Sequence, residues 1–345
     1  MSNNDVRMAP APHPHSRASR MLLSIGAAER AAFFPAGSLE TLALHAVGLD
    51  IVDPEDVPTS EAVALAEIAV VAWGFPRLDA DMLSRMPRLR LVVNAASSVR
   101  SLVSDTFWES DIPVSQAGAA MSPAVAEMSL TLTLSLLRRV HRMDHALRSG
   151  APWVVAREIE RAREISGCRI AVIGASRTGR EYIRMCTALG ADVRVFDPYL
   201  PADDPMSALS AGLDELLSSS DVVAIHAPAT AETTGMIGRR ELSIMRDGAA
   251  LVNTARASIV DMDSLFGEVA SGRLDAALDV FESEPLPDKD RWRSLSNVLL
   301  TGHVSGATRE SRARAGQIVI EEIARFLADE ELQHRVTRDA VERMA

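Results

Sequence analysis

Short runs of apolar, often β-branched residues alternate along the chain with segments in which apolar residues recur every three or four positions. The runs predict buried strands, and the segments between them predict helices. The predicted strands are Met21–Ile25, Ile68–Trp73, Leu89–Asn94, Arg169–Ile173, Val193–Phe196, Val222–His226, Ala249–Asn253, Ala276–Val280 and Val298–Leu300. The predicted helices are Ala27–Phe34, Ser38–Ala46, Ala80–Met86, 123–147, the segment from Gly179 to about Leu189, Asp214–Ser218, Arg239–Met245, Ser264–Ser271 and Thr308–Leu327. This alternation predicts an α/β fold, with a first, smaller α/β domain over about residues 20–118.

The helix that follows Pro123 is apolar over much of its surface as far as Leu137. Such a helix has to be buried, either between domains or across a subunit interface. His141 and His145 lie four residues apart on it, a spacing that suits two metal ligands on one helix face. Arg142 stands where a zinc-protease helix carries glutamate, so a solvated helix face is favoured over a metal site.

Composition narrows the classes of function. A net charge of −11 and a pI near 5.3 disfavour nucleic acids and anionic membranes as partners. Two cysteines are too few for a disulfide framework, and no secretory segment opens the sequence. The apolar segment Met121–Leu137 contains Glu127 and is expected to fall short of a bilayer span, which predicts a soluble, cytoplasmic protein. Residues 1–20, with His13 and His15, are predicted to be a disordered tail.

Residues 169–197 have the pattern of a βαβ dinucleotide site. A strand breaks at Gly174, a turn leads through Gly179 into a helix, and the next strand ends at Asp197. The free N–H groups of such a turn suit a pyrophosphate, and the acid suits a ribose diol. Ser176 occupies the place of the middle fingerprint glycine, so an ordinary βα unit without a nucleotide stays open as an alternative.

Polar and titratable residues follow several of the predicted strands. Ligands bind at the carboxyl ends of the strands in an open parallel sheet. The repeated placement of such side chains there is hard to explain as packing, and it indicates a ligand site. The residues are Asp197, His226, Asn253, Thr254, Arg256, Asp279 and His303.

At these strand ends the sequence resembles the D-isomer-specific 2-hydroxyacid dehydrogenases, from about residue 65 to the end. The order and spacing of the matching stretches are highly specific. The stretches are Ile173–Glu181, Asp221–Pro228, Leu251–Arg256 with Ile259–Asp261, Ala277–Pro287 and Thr301–Thr308.

The resemblance implies two Rossmann-like domains, each built on a doubly wound parallel sheet. A nicotinamide-dinucleotide-binding domain, residues 119–306, would be inserted in a discontinuous flavodoxin-like substrate domain, residues 21–118 and 307–345. The implied cofactor is NAD. The implied reaction interconverts a small 2-keto acid and its D-2-hydroxy acid by hydride transfer.

The catalytic arginine, glutamate and histidine of the family correspond to Arg256, Glu284 and His303. The chemistry agrees with this assignment, since the fork of an arginine can hold a carboxylate and polarise a carbonyl group. Histidine is the side chain suited to donate a proton near neutral pH, and a neighbouring carboxylate orients its ring. Each of the three could instead be a surface residue of a loop, an alternative that is weakest for His303.

Position by position, the resemblance also implies the binding residues. Those of the cofactor site are Ser97, Gly174, Ser176, Arg177, Thr178, Gly179, Asp197, Ala227, Pro228, Thr254, Ala255, Arg256, Asp279, His303, Ser305 and Gly306. Those of the substrate site are Ala96, Ser97, Ser98, Arg256 and His303, and no metal is expected. Arg177 and Thr178 would face the pyrophosphate, Asp197 the adenosine ribose and Asp279 the nicotinamide amide. An acid at the ribose predicts a preference for NADH over NADPH, which Arg177 and Arg194 would soften.

The chain departs from the family pattern at several positions. Ser176 replaces the second glycine, Ala257 the glycine after the arginine, and Gly302 the proline before the histidine. Ser98 and Arg100 stand where glycine and aspartate are frequent. Because of these last two departures, the structure of the carboxylate-binding loop and the role of Arg100 are not predicted.

Other functions compete with the dehydrogenase. Formate or phosphite oxidation uses the same scaffold, but formate enzymes usually carry glutamine where this chain has Glu284. The hypothesis of a non-catalytic protein that senses dinucleotide is weakened because Arg256, Glu284 and His303 are all present. A homodimer that associates through the helix after Pro123 is expected. Trp73, Trp108, Trp153 and Trp292 are all possible walls of the substrate pocket, and each is equally plausible as core or interface packing.

Overall fold

The computed structural model describes residues 19–157 and 162–341, which form two compact units. Unit 1 comprises the described residues up to Met121 and those from Arg309 onwards, and unit 2 comprises those within Ser122–Thr308. The sequence-based division after residues 118 and 306 lies within three residues of both borders.

The elements are numbered along the chain. The strands are β1 Ser19–Ser24, β2 Ala46–Ile51, β3 Ile68–Val71, β4 Leu91–Asn94, β5 Val114–Gln116, β6 Arg169–Ile173, β7 Asp192–Phe196, β8 Val222–Ile225, β9 Ala250–Asn253, β10 Asp275–Leu278, β11 Val298–Leu300 and β12 Arg335–Val336. The α-helices are α1 Ala27–Phe33, α2 Ser38–Ala43, α3 Ala80–Arg85, α4 Asp105–Glu109, α5 Ser122–Leu137, α6 Val140–Arg148, α7 Trp153–Arg157, α8 Arg177–Ala188, α9 Leu213–Ser219, α10 Arg239–Ile244, α11 Met262–Ala270, α12 Arg309–Leu327 and α13 Arg338–Val341.

The sheet of unit 1 has the order β12-β5-β4-β3-β1-β2, and its strands are parallel except β12. Strands β3 and β4 are buried at every position, as the continuous apolar runs predict. The order of the strands reverses between β1 and β3, where Ser24 pairs with Val71. Such a switch point is where open sheets of this kind bind ligands.

The sheet of unit 2 has the order β11-β10-β9-β8-β6-β7 and is wholly parallel. Its switch point lies between β6 and β8, directly beside the turn that begins at Gly174. Buried apolar side chains pack on both faces of this sheet, and β8 and β9 are buried at every position. The edge strand β7 differs, because exposed Asp192 and Arg194 alternate with buried valines. The doubly wound α/β architecture predicted from the sequence is confirmed in both units.

The predicted helix 123–147 is broken into α5 and α6. Arg139 adopts a left-handed conformation with φ 58°, and its guanidinium lies 2.8 Å from the buried carboxylate of Asp275. The break turns the ring of His141 inward, where burial lowers its pKa, whereas His145 is exposed. The prediction that both histidines lie on a solvated face is therefore wrong for His141.

With the 3₁₀ turn in front of α5, residues Gly118–Leu137 form a helix of 20 residues with mean hydropathy 1.3. The expectation that this segment falls short of a bilayer span is therefore corrected, because length and composition alone would permit a crossing. Its residues in unit 2 pack on α8, β9 and β10, and Ser129 and Thr133 make buried hydrogen bonds there. A core helix of a globular domain has these features.

Several elements were not predicted. Ser19 and Arg20 belong to β1, not to the tail, whose residues 1–18, with His13 and His15, lie outside the described residues. The half-exposed strand β2, the three-residue β5 and the short helix α4 also went unpredicted. Beyond α12, where no element was predicted, the chain contains β12 and α13.

Candidate active site

The turn between β6 and α8 has room for a phosphate because side chains are excluded from it. Gly174 has φ 99°, and a Cβ there would lie 2.7 Å from the backbone nitrogen of Ala227. A Cβ at Gly179 would lie 2.1 Å from the carbonyl oxygen of Gly174. Both positions therefore require glycine, and the turn fits a pyrophosphate against the N-terminus of the twelve-residue helix α8.

Ser176, the departure from the fingerprint, is the N-cap of α8. Its Oγ accepts a hydrogen bond of 3.2 Å from the N–H of Gly179, which leaves its hydroxyl proton for a ligand. Arg180 braces the turn from below, since its Nε donates to the oxygen of Ala175 and its other nitrogens hold Asp204. Sequence reasoning did not select Arg180, although it follows the last fingerprint glycine directly.

Asp197 lies at the carboxyl end of β7, half-buried beside the turn. Its Oδ2 accepts from the N–H of Ala175 at 2.8 Å, and its Oδ1 from the N–H of Tyr199 at 3.0 Å. These backbone donors fix the carboxylate in place. Each oxygen retains a further lone pair, so both hydroxyls of a ribose can still donate to it.

His226, which follows β8, supports the same turn from inside the unit. Its ring is buried against Tyr182 with centroids 4.8 Å apart, and its Cβ would lie 3.3 Å from a Cβ at Gly179. Burial lowers the pKa of His226 to about 3, so the ring is neutral. It packs under the turn and is not a proton donor.

The predicted pair of Glu284 and His303 is in contact. His303 Nδ1 lies 2.6 Å from Glu284 Oε2, while Glu284 Oε1 accepts from the N–H of Phe281 at 2.9 Å. The side chain of His303 is 45% exposed, so its other ring nitrogen faces accessible space. A cavity of about 350 Å³ adjoins the pair and is lined in part by Gly302, where the family usually has proline.

Asp279, at the end of β10, organises the loop that carries His303. Its carboxylate accepts from the hydroxyl of Thr301 at 2.5 Å and from the N–H groups of Val304 and Ser305 at 3.1 and 3.0 Å. Its carbonyl oxygen accepts from the N–H of His303, which has φ 55°. The left-handed backbone of His303 is therefore held by four hydrogen bonds to one buried residue.

The loop that carries Arg256 is held by a residue that was noticed only as a polar strand end. Asn253 Oδ1 accepts from the N–H of Ala255 at 3.0 Å, and its Nδ2 donates to the oxygen of Arg256 at 2.9 Å. The hydroxyl of Thr254 lies 2.6 Å from Ser129 Oγ on α5. Three adjacent strands, β9, β10 and β11, thus deliver the loops of the predicted trio to one edge of the sheet.

In unit 1, the predicted substrate loop follows β4. Ala96 is buried, and Ser97 and Ser98 are partly exposed. A Cβ at Gly118 would lie 2.9 Å from the Cα of Ser97, so the loop depends on this glycine. Nη2 of Arg100 donates to the oxygen of Val341 at 3.1 Å, which gives this departure from the family pattern a contact within unit 1.

The other predicted positions lie around the same turn and loops. Arg177 is exposed and Thr178 half-buried in the first turn of α8, and Ala227 with Pro228 follows β8. Ser305 is buried and Gly306 partly exposed after His303. The geometry tests none of these as ligand contacts, and they stay predictions.

A glycine turn with an acid on the next strand, and an imidazole–carboxylate pair on the same sheet edge, are features of a dinucleotide-dependent oxidoreductase. Residues 130–305 match the family model of the D-isomer specific 2-hydroxyacid dehydrogenase NAD binding domain. The chain belongs to this family, and NAD is the cofactor of the matched domain.

Relatives agree with the family match. A hydroxypyruvate reductase from Thermotoga maritima is 32% identical over 255 residues, which are 73% of this chain and 82% of that protein. A D-3-phosphoglycerate dehydrogenase from Archaeoglobus fulgidus is 30% identical over 277 residues, 79% of this chain but 52% of the relative, so the chain spans about half that protein's length. The crystal structure of a D-lactate dehydrogenase from Aquifex aeolicus, complexed with NAD and lactic acid, has 26% identity and a TM-score of 0.71, covering 90% of this chain and 96% of the other.

Proposed function

We propose that this chain is an NAD-dependent dehydrogenase that reduces a small 2-keto acid to its D-2-hydroxy acid and catalyses the reverse oxidation. The observation that carries the proposal is the 2.6 Å contact between His303 and Glu284 on the sheet edge that holds the dinucleotide turn. The names of the hydroxypyruvate reductase and D-lactate dehydrogenase relatives support acids of this size.

NADH, when bound, supplies the hydride. Arg256 holds the substrate carboxylate and polarises its carbonyl oxygen. His303 gives a proton from Nε2 to that oxygen as it becomes an alkoxide, and Glu284, at Nδ1, keeps the ring oriented. In the oxidation, the same nitrogen takes the proton from the hydroxyl group.

The proposal is tested by following NADH consumption with glyoxylate, hydroxypyruvate, pyruvate and phenylpyruvate. Wild-type protein should reduce at least one of them, and His303→Ala should lower kcat about 10²–10⁴-fold. Protein that binds NADH, measured by its fluorescence, yet reduces none of these acids would instead be a dinucleotide-sensing binding protein.

We also propose a preference for NADH over NADPH. Asp197 supports it because an ionised carboxylate that accepts from a ribose diol repels a 2′-phosphate. Arg194 and Arg177 are the two cations expected to soften this preference. The carboxylate of Asp192, 3.7 Å from Arg194, partly offsets the charge of that arginine, whereas Arg177 is exposed. Wild-type kcat/KM should be higher with NADH, and Asp197→Ala should narrow the difference. Equal wild-type values would refute the preference.

Finally, we propose a homodimer. Five large apolar side chains on α6 and α7 are between 44% and 65% exposed, namely Val140, Leu147, Trp153, Val154 and Val155. Exposed apolar side chains clustered on two helices in contact are typical of an interface. Light scattering should give about 74 kDa, twice the 37.2 kDa of the chain. Val154→Asp should shift the mass towards the monomer, while Tyr199→Ser, which alters another exposed side chain, should not.

A further inference from the structure

The structure separates the four tryptophans that the sequence left equivalent as pocket walls. Trp292 is 3% exposed and packs against Phe266 in the core of unit 2. Trp153 is exposed on α7, and Trp108 lies near the end of α4, which leads towards the amino end of β5. Only Trp73 directly follows the carboxyl end of a parallel strand, β3.

Trp73 lies at the switch point of unit 1. Strand β3 pairs with β1 on one side, where the strand order reverses, and with β4 on the other. Val71, two residues before Trp73, pairs with Asn94, which begins the predicted carboxylate loop. Since paired strands lie about 4.8 Å apart, the indole and this loop leave the sheet side by side.

The indole is held in place from one side. The guanidinium carbon of Arg312, on α12, lies 4.3 Å from the ring centroid of Trp73 and 5.0 Å from that of Phe33. Phe33 is fully buried, and its ring lies 5.9 Å from the indole at an interplanar angle of 30°. Trp73 nevertheless remains 49% exposed. A large aromatic surface is therefore fixed at the switch point and open to a ligand.

The cation in this cluster lies against both aromatic rings. Nη1 of Arg312 is buried without a hydrogen-bond partner among the described residues, and the charge is met by the two aromatic faces and by the Coulomb attraction of Glu29. A cation on a ring face is attracted by the ring quadrupole, which fixes the orientation of the indole. An orientation fixed in advance lowers the entropy cost of stacking a ligand on the ring.

We propose that Trp73 is a specificity-determining residue that binds the substrate side chain and selects 2-keto acids with a flat aromatic side chain, arylpyruvates. The inference rests on the proposed function and names the substrate class for it. An arylpyruvate carries its ring one methylene beyond the keto carbon, so its carboxylate and ring can engage two neighbouring loops. Offset stacking on the indole then favours the aromatic ring over a methyl group.

The test compares kcat/KM for phenylpyruvate and pyruvate. Wild-type protein should prefer phenylpyruvate. Trp73→Ala should lower kcat/KM about tenfold for phenylpyruvate and less than twofold for pyruvate, because an aromatic pair is worth about one factor of ten. Trp73→Phe should keep most of the preference. Arg312→Met, which keeps the stem and removes the charge, should lose part of it.

Trp108→Ala is the matched control, since it removes an indole of unit 1 that packs edge-on against Phe107. It should leave the phenylpyruvate-to-pyruvate ratio unchanged, and thermal unfolding should show whether any variant is destabilised. Equal losses for both acids in Trp73→Ala would overturn the proposal, as would a gain with phenylpyruvate, which would mean that the indole blocks large side chains. If wild-type protein reduces no keto acid, the proposed function fails. Calorimetric binding of phenylpyruvate then decides the inference by itself: loss of binding in Trp73→Ala supports it, and equal binding refutes it.

Discussion

The two units end the fourth strand of their sheets in the same way. Asn94, at the end of β4, accepts from the N–H two residues on at 3.1 Å and donates to the carbonyl oxygen four residues on at 2.8 Å. Asn253, at the end of β9, accepts from the N–H two residues on at 3.0 Å and donates to the oxygen three residues on at 2.9 Å. Both asparagines are buried, so each loop is tied to its own sheet.

What these loops carry is different. The loop of unit 1 has small residues, Ala96 to Ser98, and no charged side chain before Arg100. The loop of unit 2 has Arg256, and the two strands beside β9 add Asp279 and His303. One architecture thus carries small uncharged residues in unit 1 and charged and titratable residues in unit 2, for which the predicted roles are substrate binding and proton transfer. Fold alone would not have distinguished the two roles.

The largest effect should come from the arginine in the loop of unit 2. Arg256→Lys keeps the charge but loses the fork, so kcat/KM for the keto acid should fall at least about 100-fold while NADH still binds. Arg100→Lys, the counterpart in unit 1, should change kcat/KM less than threefold, because Arg100 contacts Val341. Steady-state kinetics with NADH titration measure both. Retained activity in Arg256→Lys would remove Arg256 as the substrate clamp.

The glycines that permit close packing give the next comparison. A Cβ at Gly179 would lie 2.1 Å from a backbone oxygen in unit 2, and a Cβ at Gly316 would lie 1.8 Å from the oxygen of Phe33 in unit 1. Each substitution by alanine should lower the free energy of unfolding by about 1–3 kcal/mol. Only Gly179→Ala should also weaken NADH binding. Equal loss of NADH affinity in the two variants would contradict the placement of the dinucleotide turn.

The two asparagine clamps can be removed separately. Asn253→Ala and Asn94→Ala each leave buried backbone groups unpaired. Each substitution should therefore lower the free energy of unfolding by about 1–3 kcal/mol. Asn253→Ala should mainly lower kcat, because Arg256 loses its position, whereas Asn94→Ala should mainly raise KM for the keto acid. Kinetics over a range of acid concentrations separate the two effects. The same changes of kcat and KM in both variants would mean that the two loops do not have separate roles.

The last comparison concerns acid stability and not activity or ligand binding. The pKa of His226 falls from 6.5 to about 3 on burial, so below pH 6.5 the unfolded chain takes up a proton that the folded chain does not. The free energy of unfolding should therefore drop by about 1.4 kcal/mol per pH unit from this residue between pH 6.5 and about 3. In urea unfolding at pH 7, 6 and 5, the free energy of unfolding should depend less on pH in His226→Phe than in the wild type. His45→Phe in unit 1, where burial also lowers the histidine pKa, should reduce this dependence over a narrower range. Parallel profiles for wild type and His226→Phe would show that the ring is not neutral in the fold.

The sequence predicted most of what local pattern determines. Continuous apolar runs located β3, β4, β8 and β9, because strands buried on both faces carry no other pattern. β2 was missed because it is a half-exposed edge strand with a weak apolar signal. The break at Arg139 was missed because an ion pair to Asp275, distant in sequence, stabilises it, with no proline or glycine to mark it.

The candidate site likewise contains residues that the sequence indicated and residues that it did not. The residues of the trio were selected through the family resemblance, which also implied the pairing of Glu284 with His303. The structure shows that these two side chains are in contact. Asn253 holds the loop of Arg256, and Arg180 holds the glycine turn between β6 and α8. Both act through hydrogen bonds to loop backbone, which a single sequence does not reveal. Support of this kind becomes visible only when the backbone is in place.

The contact between α5 and the loop of unit 2 has a fixed polarity. The hydroxyl of Ser129 donates its only hydrogen to the carbonyl oxygen of Val125, at 2.8 Å. With that hydrogen engaged, we assign the hydrogen in the 2.6 Å contact to Thr254, as the donor to Ser129. The Thr254 oxygen then has only lone pairs left for any further partner. We expect it to accept an N–H from a bound molecule and to repel a carbonyl oxygen, which would distinguish the two ends of an amide.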